Sequence, residues 1–335
     1  MTTKPVSFSK SVFKGIKTAG ALFVAAAASG IAYSRWGVNH HVLLPPAVDA
    51  ERRIFNSPRA GRLSYYVDKK GTGRPLVLIH SINAAPSAYE LKPLFDFYQG
   101  KRPVYALDLP GFGFSDRSER PYSVELYVDA IIDFLLSQVG EAADVIGLSL
   151  GCEFSAYAAY ARPDLVRTLT LISPSGFGFS RSPGRNDVAD FQAIGKRLHK
   201  VVAFPLWSQA IFDLLTSKPS IRYYLGQSFV GDPPQLFLDY AYATSHQPGA
   251  RHAPLYFLSG QLFTADVLTA VYANVTRPGL ILYDRDPNVS FGRLPDLLAL
   301  NERWQAVHLT PSMGVPHWEL LPETTAVLER FWAAA

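Results

Sequence analysis

The sequence predicts an α/β protein: a mostly parallel sheet covered by helices on both faces and interrupted by a helical insertion. Three observations lead there. Short apolar runs that read as strands alternate with amphipathic helical stretches, an order that calls for crossover connections and a parallel sheet. The segment Gly147-Leu148-Ser149-Leu150-Gly151 joins one such strand, Ala143 to Ile146, directly to a helix, Cys152 to Ala161. Between Ser180 and about Val275 the alternation stops, and aromatic-rich helices separated by proline and glycine take its place. With 335 residues, 48% of them hydrophobic, the chain can bury a large core.

The elements follow in order. Gly61 to Val67 and Pro75 to Ile79 read as strands around the turn Lys69-Lys70-Gly71-Thr72-Gly73, an opening hairpin. Pro86 to Tyr98 reads as a helix and Pro103 to Leu107 as a strand. Ser123 to Val139 is a long amphipathic helix: Val124, Val128, Ile131, Ile132, Leu135 and Val139 share a face, Ser123 caps it and Gly140 ends it. After the Ser149 turn come strands at Thr168 to Ile172, Gly279 to Tyr283 and Ala306 to Leu309, and a closing helix from Glu323 to Trp332. The inserted helices are expected at about Asp187 to Lys200, Trp207 to Thr216, Ile221 to Phe229, Gln235 to Thr244 and Thr264 to Ala273. Inserted at the C-terminal edge of a sheet, they make a lid. Its aromatics, Phe204, Trp207, Phe212, Tyr223, Tyr224, Phe237 and Tyr240, either line an apolar pocket or form the lid's own core. The resulting division is an N-terminal basic arm with a hydrophobic segment (1–48), a first part of the core (49–180), the lid (181–275) and a second part of the core (276–335).

The formal charge of +4 is concentrated at one end. Lys4, Lys10, Lys14, Lys17 and Arg35 precede the first acidic residue, Asp49; removing those five from 32 basic residues leaves 27 against 28 acidic ones, a net of −1. A nearly neutral body lacks the one-sided positive field of a nucleic-acid binder. Cys152 is the only cysteine, which excludes an internal disulfide framework and a cysteine-based zinc cluster; just beyond the Ser149 turn, it reads as a buried small hydrophobe. Thr18 to Ser34 is uncharged and alanine-rich, with lysines before it and Tyr33 and Trp36 at its end. It is read as a single-pass anchor tying the protein to a membrane, with a cleaved secretory signal or a soluble helix as the alternatives.

A serine hydroxyl is a weak nucleophile at neutral pH and needs an imidazole to take its proton and a carboxylate to fix the imidazole's tautomer. A sharp strand-to-helix turn supplies the serine: small neighbours admit the strained backbone and the hydroxyl stands clear at a helix N-terminus, which makes Ser149 the candidate nucleophile. His317, in the loop between the last strand and the closing helix, is the candidate base. The loop after Gly279 to Tyr283 offers Asp286 as the acid and Asp284 as the alternative, Asp284 being the better placed to cap the strand; the loop Ser173-Pro174-Ser175-Gly176 holds no carboxylate. The oxyanion of a tetrahedral intermediate would be met by the N–H groups of Leu150 and of Ile82, in the loop His80-Ser81-Ile82-Asn83-Ala84-Ala85, with the Asn83 side chain as an added donor or an ordinary loop residue.

These residues resemble the α/β-hydrolase fold family from about Gly61 to the C-terminus. The order Ser149, Asp286, His317 matches the family's order of nucleophile, acid and base. Asp108-Leu109-Pro110-Gly111-Phe112-Gly113-Phe114-Ser115 resembles its D-x-P-G-x-G-x-S turn, and Leu321-Pro322-Glu323 is also similar. Two departures stand out: His80-Ser81 replaces the common His-Gly before the oxyanion donor, and the acid loop lacks its usual glycine. The resemblance implies a serine hydrolase that forms an acyl-enzyme with an ester or similar acyl substrate of mainly apolar character. No metal or nucleotide site stands out in the sequence, and no cofactor is expected. The competing readings are a cofactor-free lyase, a perhydrolase, a carbon–carbon hydrolase, or a membrane-tethered accessory protein without turnover.

Overall fold

The computed structural model describes residues 27–178 and 185–335. Eight strands form one sheet: β1 (Glu51–Ser57), β2 (Gly61–Asp68), β3 (Leu76–Ile79), β4 (Val104–Asp108), β5 (Ala143–Leu148), β6 (Val166–Ile172), β7 (Gly279–Arg285) and β8 (Trp304–Met313). Their spatial order is β1-β2-β4-β3-β5-β6-β7-β8. The pairs β1·β2 and β2·β4 are antiparallel and the rest are parallel. Burial explains the order. Every residue of β3, β4 and β5 is buried, as strands covered on both faces require, whereas β1 and β8 expose much of their length at the two edges.

Helix α1 covers described residues 27–37. The core helices are α2 (Lys92–Tyr98), α3 (Val124–Phe134) and α4 (Gly151–Ala161). The insertion between β6 and β7 holds α5 (Arg185–Val202), α6 (Ser208–Leu215), α7 (Lys218–Gly226), α8 (Gln235–Ser245), α9 (His252–Leu258) and α10 (Val267–Ala270). Then come α11 (Leu294–Leu300), α12 (Pro316–Glu319) and α13 (Leu321–Ala334). One face of the sheet packs against α3 and α4 through Tyr65, Tyr105, Phe134 and Phe154, and the other against α2 and α13 through Leu76, Leu78, Phe95 and Leu328. Ser123 caps α3 by accepting the Leu126 N–H, and Gly140, at φ 78°, ends the π turn that follows the helix.

Several expectations change. The opening hairpin is not formed by β2 and β3; β2 pairs with β1 and β4, and β3 lies between β4 and β5. An all-apolar run such as Leu76–Ile79 fits the middle of a sheet rather than a hairpin's open edge. Strand β1 escapes the sequence pattern because Glu51, Arg52 and Arg53 lie on an exposed edge, where charge blocks further pairing. Helices α9 and α11 were not expected, and the helix over Thr264–Ala273 contracts to α10 and the 3-10 turn Tyr272–Asn274.

The membrane-anchored localisation is also corrected: among the described residues no helix is long and apolar enough to cross a membrane. Residues 18–26 of the expected anchor, and the signal alternative with them, lie outside the described residues. The described end of that segment docks on the protein itself. Ser34 is buried and its hydroxyl donates to Asp213 Oδ2 of α6 at 2.5 Å, and His40 Nε2 lies 3.0 Å from the same carboxylate.

Candidate active site

Ser149 sits in the turn between β5 and α4 with φ at 51°, a left-handed conformation that a serine adopts only under constraint. Its N–H donates to the Ile172 carbonyl at 2.9 Å, which ties the turn to the end of β6. Its flanking glycines are required by contact. A Cβ on Gly151 would lie 2.2 Å from the His80 carbonyl oxygen, and one on Gly147 would lie 2.9 Å from Ser155 Oγ and 3.0 Å from the Cys152 Cα. Helix α4 therefore begins hard against the exit of β3. Cys152, the next helical residue, is buried as expected; its thiol donates to the Gly147 carbonyl at 3.2 Å, and burial pushes its pKa well up.

The N–H groups of Leu150 and Ile82 have no acceptor among the described residues, and both residues are buried. The loop bearing Ile82 is held on both sides. His80 Nε2 accepts the Leu109 N–H at 2.9 Å, so the proton is on Nδ1, which donates to the Ser81 carbonyl at 2.6 Å. Burial keeps this imidazole neutral by lowering its pKa to about 4. The Asn83 amide nitrogen donates to Ser81 Oγ at 2.8 Å and Glu90 Oε1 at 2.9 Å, and its oxygen accepts the Ala85 N–H at 2.8 Å. With its polar atoms so engaged, Asn83 acts as a loop residue rather than an added oxyanion donor.

His317 lies in α12 and is fully buried, with its pKa pushed down to about 4 by burial. Its Nε2 donates to the Glu90 carbonyl at 2.8 Å, while Nδ1 has no partner among the described residues. Neither nitrogen is hydrogen-bonded to Ser149 or to a carboxylate. The two aspartates differ. Asp284 is committed to the sheet edge: Oδ1 meets His308 Nε2 at 2.6 Å and Oδ2 accepts the Ser312 N–H at 2.7 Å. Burial raises its pKa, and the bonds from Ser312 and His308 outweigh that and leave it below the usual range. Asp286 closes a turn by accepting the N–H groups of Asn288 and Val289 on Oδ1 at 2.7 and 3.0 Å. Its Oδ2 faces the segment leading to His317, 3.1 Å from where a Cβ on Gly314 would sit. Burial raises the pKa of Asp286.

Two glutamates that the sequence reading passed over hold these parts together. Glu90 accepts three hydrogen bonds from the Ser81–Asn83 loop. Glu319 accepts the Met313 N–H on Oε2 at 2.7 Å and the Val230 N–H on Oε1 at 2.6 Å, and so links α12 to β8 and to the insertion. A charged residue within the otherwise uncharged run Ala88-Tyr89-Glu90-Leu91 was the available signal for the first. Beside His317 an aromatic wall forms: Tyr89 stacks on Tyr240 at 4.4 Å between centroids and Trp318 on Phe237 at 4.9 Å, and Phe229 meets both Phe237 and Trp318. Of the aromatics singled out in the insertion, Phe237 and Tyr240 join this wall, whereas Phe204, Tyr223 and Tyr224 are exposed and Phe212 is buried. In the Asp108–Ser115 turn, Asp108 accepts the N–H groups of Ala88 and Phe114, and a Cβ on Gly113 would lie 2.0 Å from its carboxylate. That motif is structural. Among the described residues no group of His, Cys, Asp or Glu could hold a metal ion.

A mostly parallel sheet with a serine elbow at the end of its fifth strand defines the class of α/β hydrolases. The chain matches the alpha/beta hydrolase family over residues 76–327 and belongs to that family. It is similar to the 2-(acetamidomethylene)succinate hydrolase of Mesorhizobium japonicum, 32% identical over 38% of this chain and 45% of that one. It is also similar to the 2-hydroxymuconate semialdehyde hydrolase of a Pseudomonas species, 29% identical over 44% of this chain and 56% of that one. The chain thus spans about half the length of these curated relatives. The solved serine hydrolase CarC, involved in carbazole degradation, superposes with a TM-score of 0.65 at 14% identity, over 85% of this chain and 99% of that one, a likeness of fold.

Proposed function

We propose that the protein is a serine hydrolase that cleaves an ester or similar acyl substrate of mainly apolar character through an acyl-enzyme on Ser149. The observation that carries this reading is the elbow: a strained serine at φ 51°, with the buried, unpartnered N–H groups of Leu150 and Ile82 on the segments that meet there. In the proposed reaction Ser149 Oγ attacks the acyl carbon and its proton passes to His317. The Leu150 and Ile82 N–H groups meet the oxyanion, and His317 returns the proton to the departing alcohol. Water then enters by the same route and frees the acid. Asp286 is the proposed partner of the imidazole, because both oxygens of Asp284 are engaged elsewhere. The imidazole now donates from Nε2 to the Glu90 carbonyl, so to act as base it must release that bond and present an unprotonated nitrogen to Ser149. The aromatic wall of Tyr89, Phe237, Tyr240 and Trp318 suits an apolar acyl or alcohol group, with the inserted helices, residues 181–275, acting as the lid.

A fluorophosphonate probe should label the wild type and not Ser149→Ala, and aryl-ester turnover should fall by about 10⁴-fold or more in the variant. Equal labelling of the two proteins would end this reading. Similarity to the 2-hydroxymuconate semialdehyde hydrolase favours a second one, hydrolysis of a carbon–carbon bond by the same serine. Turnover of that relative's substrate with no turnover of esters across a range of chain lengths would select it.

A further inference from the structure

We propose that Glu90 is the positioning residue that holds the oxyanion-donor loop in register while its backbone carbonyl anchors the resting imidazole of His317; this rests on the assignment of Ser149 and His317 above. Glu90 lies in a four-residue 3-10 turn, Ala88–Leu91, in which every residue is buried and which Ser87 caps by accepting the Tyr89 N–H. Its two polar ends face two parts of the site. The carboxylate accepts the Ser81 N–H on Oε2 at 2.8 Å, and the Ser81 hydroxyl and the Asn83 amide on Oε1, both at 2.9 Å. Its backbone carbonyl accepts His317 Nε2 at 2.8 Å and Trp318 Nε1 at 2.7 Å, from residues 227 and 228 positions further along the chain.

Three consequences follow for the loop. The Ser81 N–H is taken up by the Glu90 carboxylate, which leaves the Ile82 N–H as the free donor among the described residues. Ser81 is absent from the residues with positive φ, so the loop does not need the conformational freedom of the glycine that many family members carry here; the bonds to Glu90 set its course instead. Among the described residues Glu90 forms no ion pair, and its buried carboxylate depends on these three donors, so the loop cannot move without stripping a buried acceptor of its partners. On the other side, the carbonyl that holds His317 also holds the Trp318 indole of the aromatic wall. Displacing Glu90 would therefore disturb oxyanion donor, base and wall together.

Glu90→Gln is nearly isosteric but replaces one acceptor oxygen with a donor that faces the Ser81 or Asn83 N–H groups. Turnover of an aryl ester, normalised to sites titrated with a fluorophosphonate, should fall about 10–100-fold while KM changes less than about threefold. Affinity for phenylboronic acid, whose tetrahedral serine adduct fills the oxyanion site, should weaken by a similar factor. A merely structural role would lower the number of titratable sites and leave turnover per site unchanged. Turnover per site and boronate affinity within about twofold of wild type would overturn the proposal. Should Glu90→Gln fail to fold, Ser81→Ala, which loses one bond to Glu90, should lower turnover per site about fivefold, and an unchanged value would overturn it equally. Failure of the wild type itself to take the fluorophosphonate would instead remove the Ser149 assignment on which this proposal rests.

Discussion

The proposed nucleophile side of the site and the proposed acid–base side are held by different means. Around Ser149 the constraints are steric and local: Gly147 and Gly151 leave room for Ser155 and the His80 carbonyl, and one backbone bond to Ile172 fixes the turn. Around His317 the constraints are hydrogen bonds between distant side chains and backbone: Glu90 holds the imidazole, Glu319 ties α12 to Met313 and Val230, and Asp286 packs against Gly314. Under the proposed reaction, such a site would keep the attacking atom fixed while the base changes partners. The His317 ring donates to Glu90 here and would have to turn to Ser149 in that reaction.

The widest test of the acid–base side compares its two aspartates. Asp286→Asn should lower kcat by about 10²–10⁴-fold with the fold intact, because an amide facing the imidazole favours the wrong tautomer. Asp284→Asn should change kcat less than about fivefold, and should instead lower stability by about 1–3 kcal/mol through its lost bonds to His308 and Ser312. Steady-state kinetics and denaturant unfolding on both variants check this. The reverse ranking in kcat would move the acid to Asp284.

The steric side is broken most directly at Gly151. Alanine there places a Cβ 2.2 Å from a backbone oxygen that cannot rotate away, so Gly151→Ala should destabilise the fold by about 3 kcal/mol or more and move the Leu150 N–H. Gly147→Ala, whose nearest contact is a serine hydroxyl at 2.9 Å, should cost less. Unfolding midpoints that rank the two glycines the other way would show that α4 yields more readily than β3.

The same contrast explains what the sequence made legible. The sheet and the elbow could be read because each depends on neighbours a few residues apart: apolar runs and a Gly-x-Ser-x-Gly turn. Glu90 escaped because its significance lies in bonds that no local pattern announces, to the Ser81–Asn83 loop and to residues 227 and 228 positions away. Asp284 and Asp286 could not be separated by spacing; their difference lies in His308 and Ser312 on β8, which pairs with β7. Strand β1 was hidden by the charges that protect an edge, and the pairing of β2 with β4 across the chain defeated the local reading of a hairpin.

The smallest effect concerns a second buried carboxylate, Glu153, one turn into α4. Its Oε1 accepts the Ser175 hydroxyl at 2.5 Å and its Oε2 accepts the Thr264 N–H at 2.9 Å, which joins the nucleophile helix to the end of the insertion. Burial raises its pKa to about 7, against the bonds from Ser175 and Thr264, which lower it. An acid with a raised folded-state pKa holds its proton in the native state where the unfolded chain has lost it. Its contribution therefore favours folding below about pH 4.5 and is lost as pH rises from there to about 7, by up to roughly 3 kcal/mol. His80 and His317 act in the opposite sense between about pH 4 and 6.5, since each stays neutral in the fold while the unfolded chain takes up a proton. Together the two histidines outweigh Glu153 over that range. Glu153→Gln removes only the Glu153 contribution, so its stability relative to wild type should rise between pH 5 and pH 8, as measured by urea unfolding at both values. A difference independent of pH would place the Glu153 carboxyl in the same ionisation state folded and unfolded, and would make its link to the insertion a plain hydrogen bond.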